Sequence, residues 1–421
     1  MRTKLGVVVA VLAVVGATVV PAPARAVEEP AAAPNGLGVI DRRQHSDRLV
    51  EVTFTTPALT EPAPVRILLP HGYDDPANAA RRYPVLYLLH GGLGGYADWT
   101  EQGAAEALTA QEQMIVVMPE GGGDGNYVDW YNHGTHGPPM WETFHIGQLL
   151  PWVDTNLRTH AHRSQRAIAG LSMGGAGASH YAARHPDLFS AMAAWSPAVD
   201  TNDIFIIPVT STGGLQSGKL PMSVYGDRLT QEMRWRADNT WDLAENLASL
   251  PTLVIATGNG SPSNEHGCTY PDPIEMGVHR QATNLDARLT ELDIPHTYED
   301  YGPGCHSWPY WQRELTDLLP TLRTHFAANH TTPTTFTFKA GEPTYDVFGW
   351  HVELDRPAME WSTLQVLSPT HARITGSGTA HVTAPNGTTR TVDLGPGNPF
   401  QAYTAPALLM PQNVTTVEIS F

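Results

Sequence analysis

A serine between two glycines is the feature of this sequence with the clearest chemical meaning. Residues 170–174 read Gly-Leu-Ser-Met-Gly, and they join a short β-rich run to an Ala/Gly-rich stretch of helical character. In that setting the glycines let strand and helix approach closely, and the serine sits on a strained turn that exposes its hydroxyl. The pattern predicts Ser172 as a nucleophile for ester chemistry, with an ordinary Gly-rich turn as the alternative.

Such a nucleophile needs a histidine base, because a serine hydroxyl attacks poorly at neutral pH. The order along the chain in this type of site is serine, then acid, then histidine. His306 lies in a turn directly after the strand-like segment 296–301, and this position makes it the predicted base among 19 histidines. His296, at the start of that segment, is the weaker alternative.

A carboxylate must hold the histidine in the right tautomer and stabilise its charge. We expect this acid between the serine and the histidine, on the loop that follows the predicted strand 252–257. Glu265, Asp272 and Glu275 all lie there. Spacing alone does not separate the three.

Two backbone N–H groups are also needed, because the attacked carbonyl oxygen becomes negatively charged. The residue after the nucleophile, Met173, supplies one. The second is expected from the Gly-rich loop 90–95, which directly follows the predicted strand 83–89. Gly92 is the predicted donor, with Leu93 as second choice. These glycines do not indicate a phosphate site, since neither a Gly-Lys-Ser/Thr sequence nor dinucleotide spacing follows.

Three histidines on an apparent loop are candidate metal ligands. His133, His136 and His145 flank the two prolines at 138–139, and no cysteine or carboxylate pattern completes a known ligand set. We interpret them as solvated loop residues. The sequence therefore predicts neither a metal nor a cofactor.

The elements that position these residues alternate between strand and helix over about 280 residues. Helical stretches, such as 147–157 and 176–185, separate short apolar β-rich runs. This alternation predicts an α/β fold with a mostly parallel central sheet covered by helices. The predicted strands are residues 48–55, 65–70, 83–89, 114–118, 166–169, 252–257 and 296–301.

The pattern changes at a Thr/Pro-rich stretch near residue 330. We predict a catalytic domain over 27–328, a linker over 329–335 and a β-rich accessory domain over 336–421. Short alternating segments and a Pro-Asn-Gly turn in the last region favour a small β-sandwich. Its predicted strands are residues 344–354, 363–367, 371–374, 380–383, 388–394 and 414–421.

The N-terminus and the cysteines indicate export. Residues 1–26 combine a charged start, an apolar stretch and an Ala-x-Ala site, which is typical of a cleaved secretory signal, although a membrane anchor is the competing interpretation. Cys268 and Cys305 are the two cysteines, and in an oxidising compartment we expect a disulfide between them. The net charge of −17 argues against nucleic acid as a partner.

Six stretches of this sequence carry a resemblance to a known family. They are residues 87–91 (YLLHG), 127–131 (YVDWY), 141–144 (WETF), 170–173 (GLSM), 258–262 (GNGSP) and 306–311 (HSWPYW). With them, residues 45–325 resemble the antigen 85 mycolyltransferase branch of the esterase D family, within the α/β-hydrolase superfamily. The resemblance implies Glu275 as the catalytic acid, because the family's glutamate lies on a helical segment beyond an Asn-Gly-x-Pro loop, with Asp272 in reserve. The disulfide would then join the loops that carry Glu275 and His306.

Two departures limit what the resemblance implies. Family members that use trehalose have Asp at the position of His90 and Arg near Leu93 or Gly94, so trehalose is not the expected acceptor. The family's local disulfide loop before Trp-Glu-Thr-Phe is also replaced, here by a Gly/Pro-rich segment without cysteines over 132–140.

The sequence thus predicts a secreted serine esterase, with two alternatives. One is an acyltransferase that passes the acyl group to a sugar or glycerol hydroxyl, and the other is a non-catalytic cell-wall-binding protein on a hydrolase scaffold. Leu93 and Trp308 are the predicted substrate contacts, and Trp99, Trp130 and Trp141 are either further cleft residues or core. The expected partners are an ester or acyl-lipid substrate and a cell-wall glycan or glycolipid.

Overall fold

The computed structural model describes residues 36–212, 215, 218–356, 359–397 and 414–421. The predicted signal peptide lies outside these residues. Within them, no helix has both the length and the apolar character needed to cross a membrane.

The larger part of the molecule is built around a nine-stranded sheet in the order β1-β2-β3-β5-β4-β6-β7-β8-β9. The pairs among β4 to β9 are parallel, whereas β1, β2 and β3 join antiparallel at one edge. The strands are β1 (Gly38–Gln44), β2 (Leu49–Thr55), β3 (Ala63–Leu68), β4 (Val85–Leu89), β5 (Ile115–Pro119), β6 (Arg166–Leu171), β7 (Ala191–Trp195), β8 (Thr252–Thr257) and β9 (Thr297–Asp300).

Helices cover both faces of this sheet. A π-helical segment, Thr143–Leu149, leads into α3, and 3₁₀ turns occur at Pro76–Asn78, Asn132–Gly134, Arg163–Gln165 and Ala244–Ser249. The α-helices are α1 (Asp98–Glu101), α2 (Ala105–Leu108), α3 (Leu150–Asn156), α4 (Met173–Arg184), α5 (Ile206–Thr212), α6 (Glu232–Ala237), α7 (Pro273–Glu291) and α8 (Trp308–Ala327).

The central strands are apolar along their whole length because each face packs against a different core. In β4, Tyr87 and Leu89 face a core that contains Tyr181 of α4, while Leu86 and Leu88 face a second core that contains Leu315 of α8. Successive side chains of a strand point to opposite faces, so burial on both sides requires a continuous apolar run. The predicted α/β fold with a mostly parallel sheet is therefore confirmed.

Two strands of the sheet, β7 and β1, are not among the strands predicted from the sequence. β7 reads AMAAW and lies fully buried between β6 and β8. Alanine has low β propensity, so nothing local marks this run as a strand, and its neighbours in the sheet decide its conformation. β1, at the antiparallel edge, carries polar and charged side chains and was also missed.

The C-terminal part forms two antiparallel four-stranded sheets, in the orders β10-β13-β14-β17 and β11-β12-β15-β16. In β12, Trp350, Val352 and Leu354 point into a shared apolar core, while His351 and Glu353 point outward. This is the sandwich-like β domain that the sequence predicts. Its strands are β10 (Phe336–Ala340), β11 (Thr344–Val347), β12 (Trp350–Asp355), β13 (Ser362–Ser368), β14 (His371–Gly376), β15 (Thr379–Thr383), β16 (Thr389–Asp393) and β17 (Thr415–Ser420).

Polar contacts fix the β domain against the sheet-and-helix domain. The buried Asn246 side chain accepts from the Lys339 N–H and donates to the Lys339 carbonyl, both at 2.8 Å, so it pairs with β10 much as a neighbouring strand would. Arg184, the last residue of α4, forms an ion pair with Glu342 in the turn between β10 and β11. The helix that begins beside Ser172 therefore ends against the β domain.

Candidate active site

Ser172 occupies a strained turn between β6 and α4. Its backbone has φ 53° and ψ −120°, a conformation that non-glycine residues rarely adopt. The surrounding glycines are required by close approach, since a Cβ on Gly170 would lie 2.3 Å from the Gly174 carbonyl oxygen. The Ser172 N–H donates to the Trp195 carbonyl of β7 at 2.8 Å, which fixes the turn to the sheet.

Glu275 lies in the first turn of α7 and is completely buried. Its Oε1 atom accepts three hydrogen bonds, from the Ser196 hydroxyl (2.8 Å), the Thr257 hydroxyl (3.1 Å) and the Gly258 N–H (2.8 Å). Its Oε2 atom is 2.7 Å from Nδ1 of His306. Buried carboxylates need such donors to remain charged.

His306 contacts the glutamate through one ring nitrogen only. Because Nδ1 faces the Glu275 carboxylate, the neutral ring carries its proton there and Nε2 is the basic atom. The ring packs edge to face on Trp311, with centroids 4.9 Å apart. Ser172, Glu275 and His306 lie close together at the carboxyl-terminal end of the sheet, where strands β6, β8 and β9 end.

The other candidate acids and the second histidine have different positions. Asp272 caps α7, and its carboxylate contacts backbone N–H groups. Glu265 is exposed, and its carbonyl accepts from the Tyr310 hydroxyl. His296, which directly precedes β9, pairs with Asp286 at 2.9 Å. Of the three acids, only Glu275 has its carboxylate at the His306 ring within the described structure.

The backbone N–H groups of Gly92 and Met173 both lack a hydrogen-bond partner within the described residues. They belong to neighbouring segments, since a Cβ on Gly92 would lie 3.9 Å from Cβ of Met173. The second choice from the sequence, Leu93, is different, because its N–H donates to the Gly123 carbonyl at 2.7 Å. Leu93 therefore has no free N–H for an oxyanion.

His90 supports the Gly-rich loop from below and is buried, with 1% exposure. Its Nε2 atom accepts from the Gly121 N–H at 2.9 Å, and its Nδ1–H donates to the Gly91 carbonyl at 2.8 Å. Both ring nitrogens are thus used by the backbone. A Cβ on Gly94 would lie 2.2 Å from an Asp98 carboxylate oxygen and 3.1 Å from the Gly91 carbonyl oxygen, so a side chain here would displace the Asp98 carboxylate.

The disulfide expected between Cys268 and Cys305 is present, with Cα atoms 5.6 Å apart. Cys268 precedes α7, which carries Glu275, and Cys305 directly precedes His306. The bond therefore joins the two segments that supply the acid and the histidine.

The tryptophans considered as cleft residues separate into two groups. Trp99 and Trp130 are almost fully buried and belong to the core. Trp308, two residues after His306, is partly buried and packs edge to face on Trp99 and Trp311. Trp141 is also partly buried and stacks on His145. Leu93 is 74% exposed, which is unusual for a leucine and leaves it available to a substrate.

One histidine interpretation was wrong. His133 and His136 are exposed on a loop, but His145 is buried in the π-helical segment. It bonds to the Tyr181 hydroxyl at 2.9 Å and to the Glu120 carbonyl at 2.8 Å, and burial lowers its pKa to about 3. No local pattern marks this burial, because the π-helical segment begins only four residues after the prolines.

One group of possible metal ligands occurs in the described part of the chain, formed by Glu142, His180 and Asp238. The Arg184 guanidinium already lies among them, 2.9 Å from Glu142 and 3.4 Å from Asp238. An arginine in this position supplies the positive charge that a metal ion would bring.

Comparison with known proteins identifies the family. The esterase family model ("Putative esterase") matches residues 56–322. The chain belongs to this esterase family. Curated relatives include an esterase of Mycobacterium tuberculosis ("Esterase Rv1288"), 35% identical over 299 residues, which make up 68% of this chain and 62% of that protein. The chain thus spans less than two thirds of this relative's length.

A second relative carries an acyltransferase name. "Diacylglycerol acyltransferase/mycolyltransferase Ag85B" of Mycobacterium leprae is 29% identical over 262 residues, 58% of this chain and 77% of that protein. The predicted resemblance to the antigen 85 branch is therefore confirmed. The family model ends at residue 322, before the β domain begins.

Solved structures support the fold. MPT51 of Mycobacterium tuberculosis has a TM-score of 0.54 at 20% identity, covering 68% of this chain and 99% of that one. An S-formylglutathione hydrolase from Agrobacterium tumefaciens has a TM-score of 0.51 at 19% identity, covering 69% and 98%. At these identities the likeness concerns the α/β-hydrolase fold alone.

Proposed function

We propose that this chain is a secreted serine esterase that cleaves a carboxylic ester through an acyl-enzyme on Ser172. The observation that carries the proposal is the Glu275–His306 contact beside the strained turn of Ser172, together with the two unpartnered N–H groups of Gly92 and Met173. Membership of the esterase family supports ester or acyl chemistry in general.

In the first half of the reaction, Oγ of Ser172 bonds to the ester carbonyl carbon while Nε2 of His306 takes the hydroxyl proton. The Gly92 and Met173 N–H groups donate to the oxyanion, and each such donor typically contributes on the order of 10²–10³ in rate. When the intermediate collapses, the ester C–O bond breaks and His306 returns the proton to the departing alcohol.

In the second half, His306 takes a proton from water and the hydroxide attacks the acyl-enzyme. When this intermediate collapses, the bond between the acyl carbon and Oγ of Ser172 breaks, His306 returns its proton to Oγ, and the acid leaves. Glu275 keeps the Nδ1 proton in place throughout and stabilises the imidazolium ion, while Ser196, Thr257 and Gly258 hold the carboxylate still.

Acyl transfer to an alcohol is the second candidate, because the same acyl-enzyme serves both reactions and a relative is named as an acyltransferase. Hydrolysis is favoured over transfer to trehalose, because the buried His90, whose ring nitrogens are both used by the backbone, stands in place of the Asp of trehalose-using family members, and neither Leu93 nor Gly94 supplies their Arg. Incubation of the protein with an acyl donor and either trehalose or glycerol separates the two. Free acid alone supports the hydrolase, whereas an acylated acceptor supports transfer.

The proposed function is tested with the purified protein and a chromogenic short-chain ester. We expect Ser172→Ala to lower kcat/KM by at least about 10⁴-fold. A Ser179→Ala variant is the matched control, since Ser179 lies two turns further along α4 and bonds only within the helix and to Thr240. Equal turnover by wild type and Ser172→Ala would support the non-catalytic alternative instead.

Leu93 and Trp308 are the proposed substrate contacts. The exposed Leu93 side chain follows the Gly-rich loop, and Trp308 lies two residues after His306. Replacing Leu93 with Ser should raise KM for long-chain esters more than for acetate esters, because only a long acyl chain would reach this apolar side chain.

Export and glycan binding complete the proposal. If residues 1–26 are a signal, the mature protein recovered from culture medium begins at Val27. Removal of residues 330–421 and a measurement of both ester turnover and retention on cell-wall glycan would separate a binding role of the β domain from a structural one.

A further inference from the structure

Asp272, at the start of the helix that carries Glu275, bonds to both halves of the acid and base pair. Its Oδ1 atom accepts from the N–H groups of Ile274 (3.0 Å) and Glu275 (3.2 Å). Its Oδ2 atom accepts from the N–H of His306 at 2.9 Å. One carboxylate thus joins the first turn of α7 to the backbone of the histidine.

The first of these contacts is an ordinary helix cap. Asp is among the best residues at this position, because its side chain accepts from N–H groups that have no partner inside the helix. The contact with His306 is not part of a cap. It comes from a segment more than thirty residues away and uses the oxygen that the helix leaves free.

The Cys268–Cys305 disulfide joins the same two segments, but it acts at a different point. It limits the distance between the segment that precedes Asp272 and the segment that precedes His306. The hydrogen bond from His306 to Asp272 fixes the direction of the backbone at the histidine itself. Since the ring leaves the backbone at that residue, its direction decides whether Nδ1 meets Oε2 of Glu275.

We propose that Asp272 is a positioning residue that aligns His306 with Glu275. The inference rests on the proposed function of this pair in ester cleavage. Asp272 does not touch the reacting atoms, and it acts through the backbone of both residues. Misplacement of a catalytic group by about 1 Å costs on the order of 10²-fold in rate, so loss of the contact should lower turnover without abolishing it.

Asp272→Asn separates the two contacts of the side chain. Asparagine caps a helix as well as aspartate does, so its Oδ1 still accepts from Ile274 and Glu275. Its second atom is an NH₂ donor, which meets the His306 N–H donor instead of accepting from it. We expect kcat to fall about 10- to 100-fold with KM nearly unchanged, while the thermal unfolding temperature stays close to that of wild type.

Asp75→Asn is the matched control. Asp75 caps the 3₁₀ turn Pro76–Asn78, since its Oδ1 atom accepts from the Ala77 N–H at 2.8 Å. This turn follows β3 at the amino-terminal end of the parallel strands, away from the site. We expect it to leave kcat unchanged.

The decisive measurement is the low-field ¹H NMR signal of the Nδ1–H proton that lies between His306 and Glu275. Glu275→Gln identifies this signal by removing it. We expect Asp272→Asn to broaden it or move it toward ordinary imidazole positions. Wild-type kcat together with an unchanged signal would overturn the proposal and leave Asp272 as a helix cap only.

The NMR signal does not require turnover, so it also tests Asp272 if the proposed function fails. A wild-type protein without Ser172-dependent esterase activity refutes that function, while the signal still reports whether Asp272 aligns the pair. Should Asp272→Asn fail to fold, Asp272→Ser, whose hydroxyl retains the cap, decides the question by the same two measurements.

Discussion

Two glutamate–histidine pairs in the described residues have nearly the same short separation, and only one lies beside the predicted nucleophile. Glu275 contacts His306 at 2.7 Å, and Glu142 contacts His185 at 2.6 Å. Distance does not distinguish them. Their surroundings do, because the two carboxylates have different further partners and the two histidines have different positions relative to Ser172.

Glu142 is neutralised by an arginine. Burial would raise the pKa of its carboxyl, but Arg184 at 2.9 Å and the neighbouring histidines outweigh burial and hold that pKa well below its usual range. Glu275 receives only uncharged donors in addition to His306, so its charge remains to stabilise an imidazolium ion. A carboxylate that is already paired with an arginine stabilises the positive charge of a protonated histidine much less.

Position separates the histidines. His185 follows the end of α4, whose twelve residues place it about 18 Å along the helix from Ser172. His306 comes from a loop at the same sheet edge as the nucleophile. A glutamate–histidine pair therefore becomes a catalytic candidate through its surroundings, which here are neutral donors and a nearby serine.

The largest expected effect comes from Glu275→Gln. The amide would present a donor to Nδ1 of His306 and favour the tautomer with its proton on Nε2, which cannot accept from Ser172. We expect kcat/KM to fall about 10³- to 10⁴-fold, measured by steady-state ester hydrolysis. A loss below tenfold would remove Glu275 from the proposed triad.

Glu142→Gln should reverse this pattern. It removes an anion from a buried cluster in which Arg184 also contacts Asp238 and Glu342, and breaking such a pair typically costs about 3 kcal/mol. We expect the free energy of unfolding in urea to fall by about that amount, while kcat per folded molecule stays within a few-fold of wild type. A selective loss of kcat would contradict the division between the two pairs.

A smaller effect is expected from Asp238→Asn, and it depends on pH. Burial, together with the negative charges of Glu142 and Glu342, outweighs the attraction of Arg184 and raises the pKa of Asp238 to about 7. Between about pH 4 and pH 7 the unfolded chain has lost a proton that the folded chain retains, so Asp238 makes stability fall as pH rises through this window.

The asparagine variant lacks that proton, so its stability should change less with pH over the same window. Urea titrations at several pH values measure the difference. Parallel curves for the wild type and the variant would show that Asp238 does not titrate there.

Much of this arrangement could be predicted from the sequence, because it depends on local patterns. The Gly-x-Ser-x-Gly turn, the apolar strands and the histidine after β9 are each marked by neighbouring residues. The choice of Glu275 over Asp272 came from a family resemblance, since spacing allowed both.

Other features depend on contacts between distant segments. Ser196 and Thr257 bond to Glu275 only because β7 and β8 end beside α7, and β7 itself was not recognised. The burial of His145 and the cluster around Arg184 likewise follow from packing, and no spacing in the sequence predicts them.

The central claim is that Ser172 carries the acyl group. The most direct test is to quench the protein with acid during turnover of an activated ester, and to map the acyl group by peptide mass spectrometry. We expect one acyl group on the peptide that contains Ser172, and none in Ser172→Ala. An acyl group on another residue, or unchanged turnover without Ser172, would contradict it.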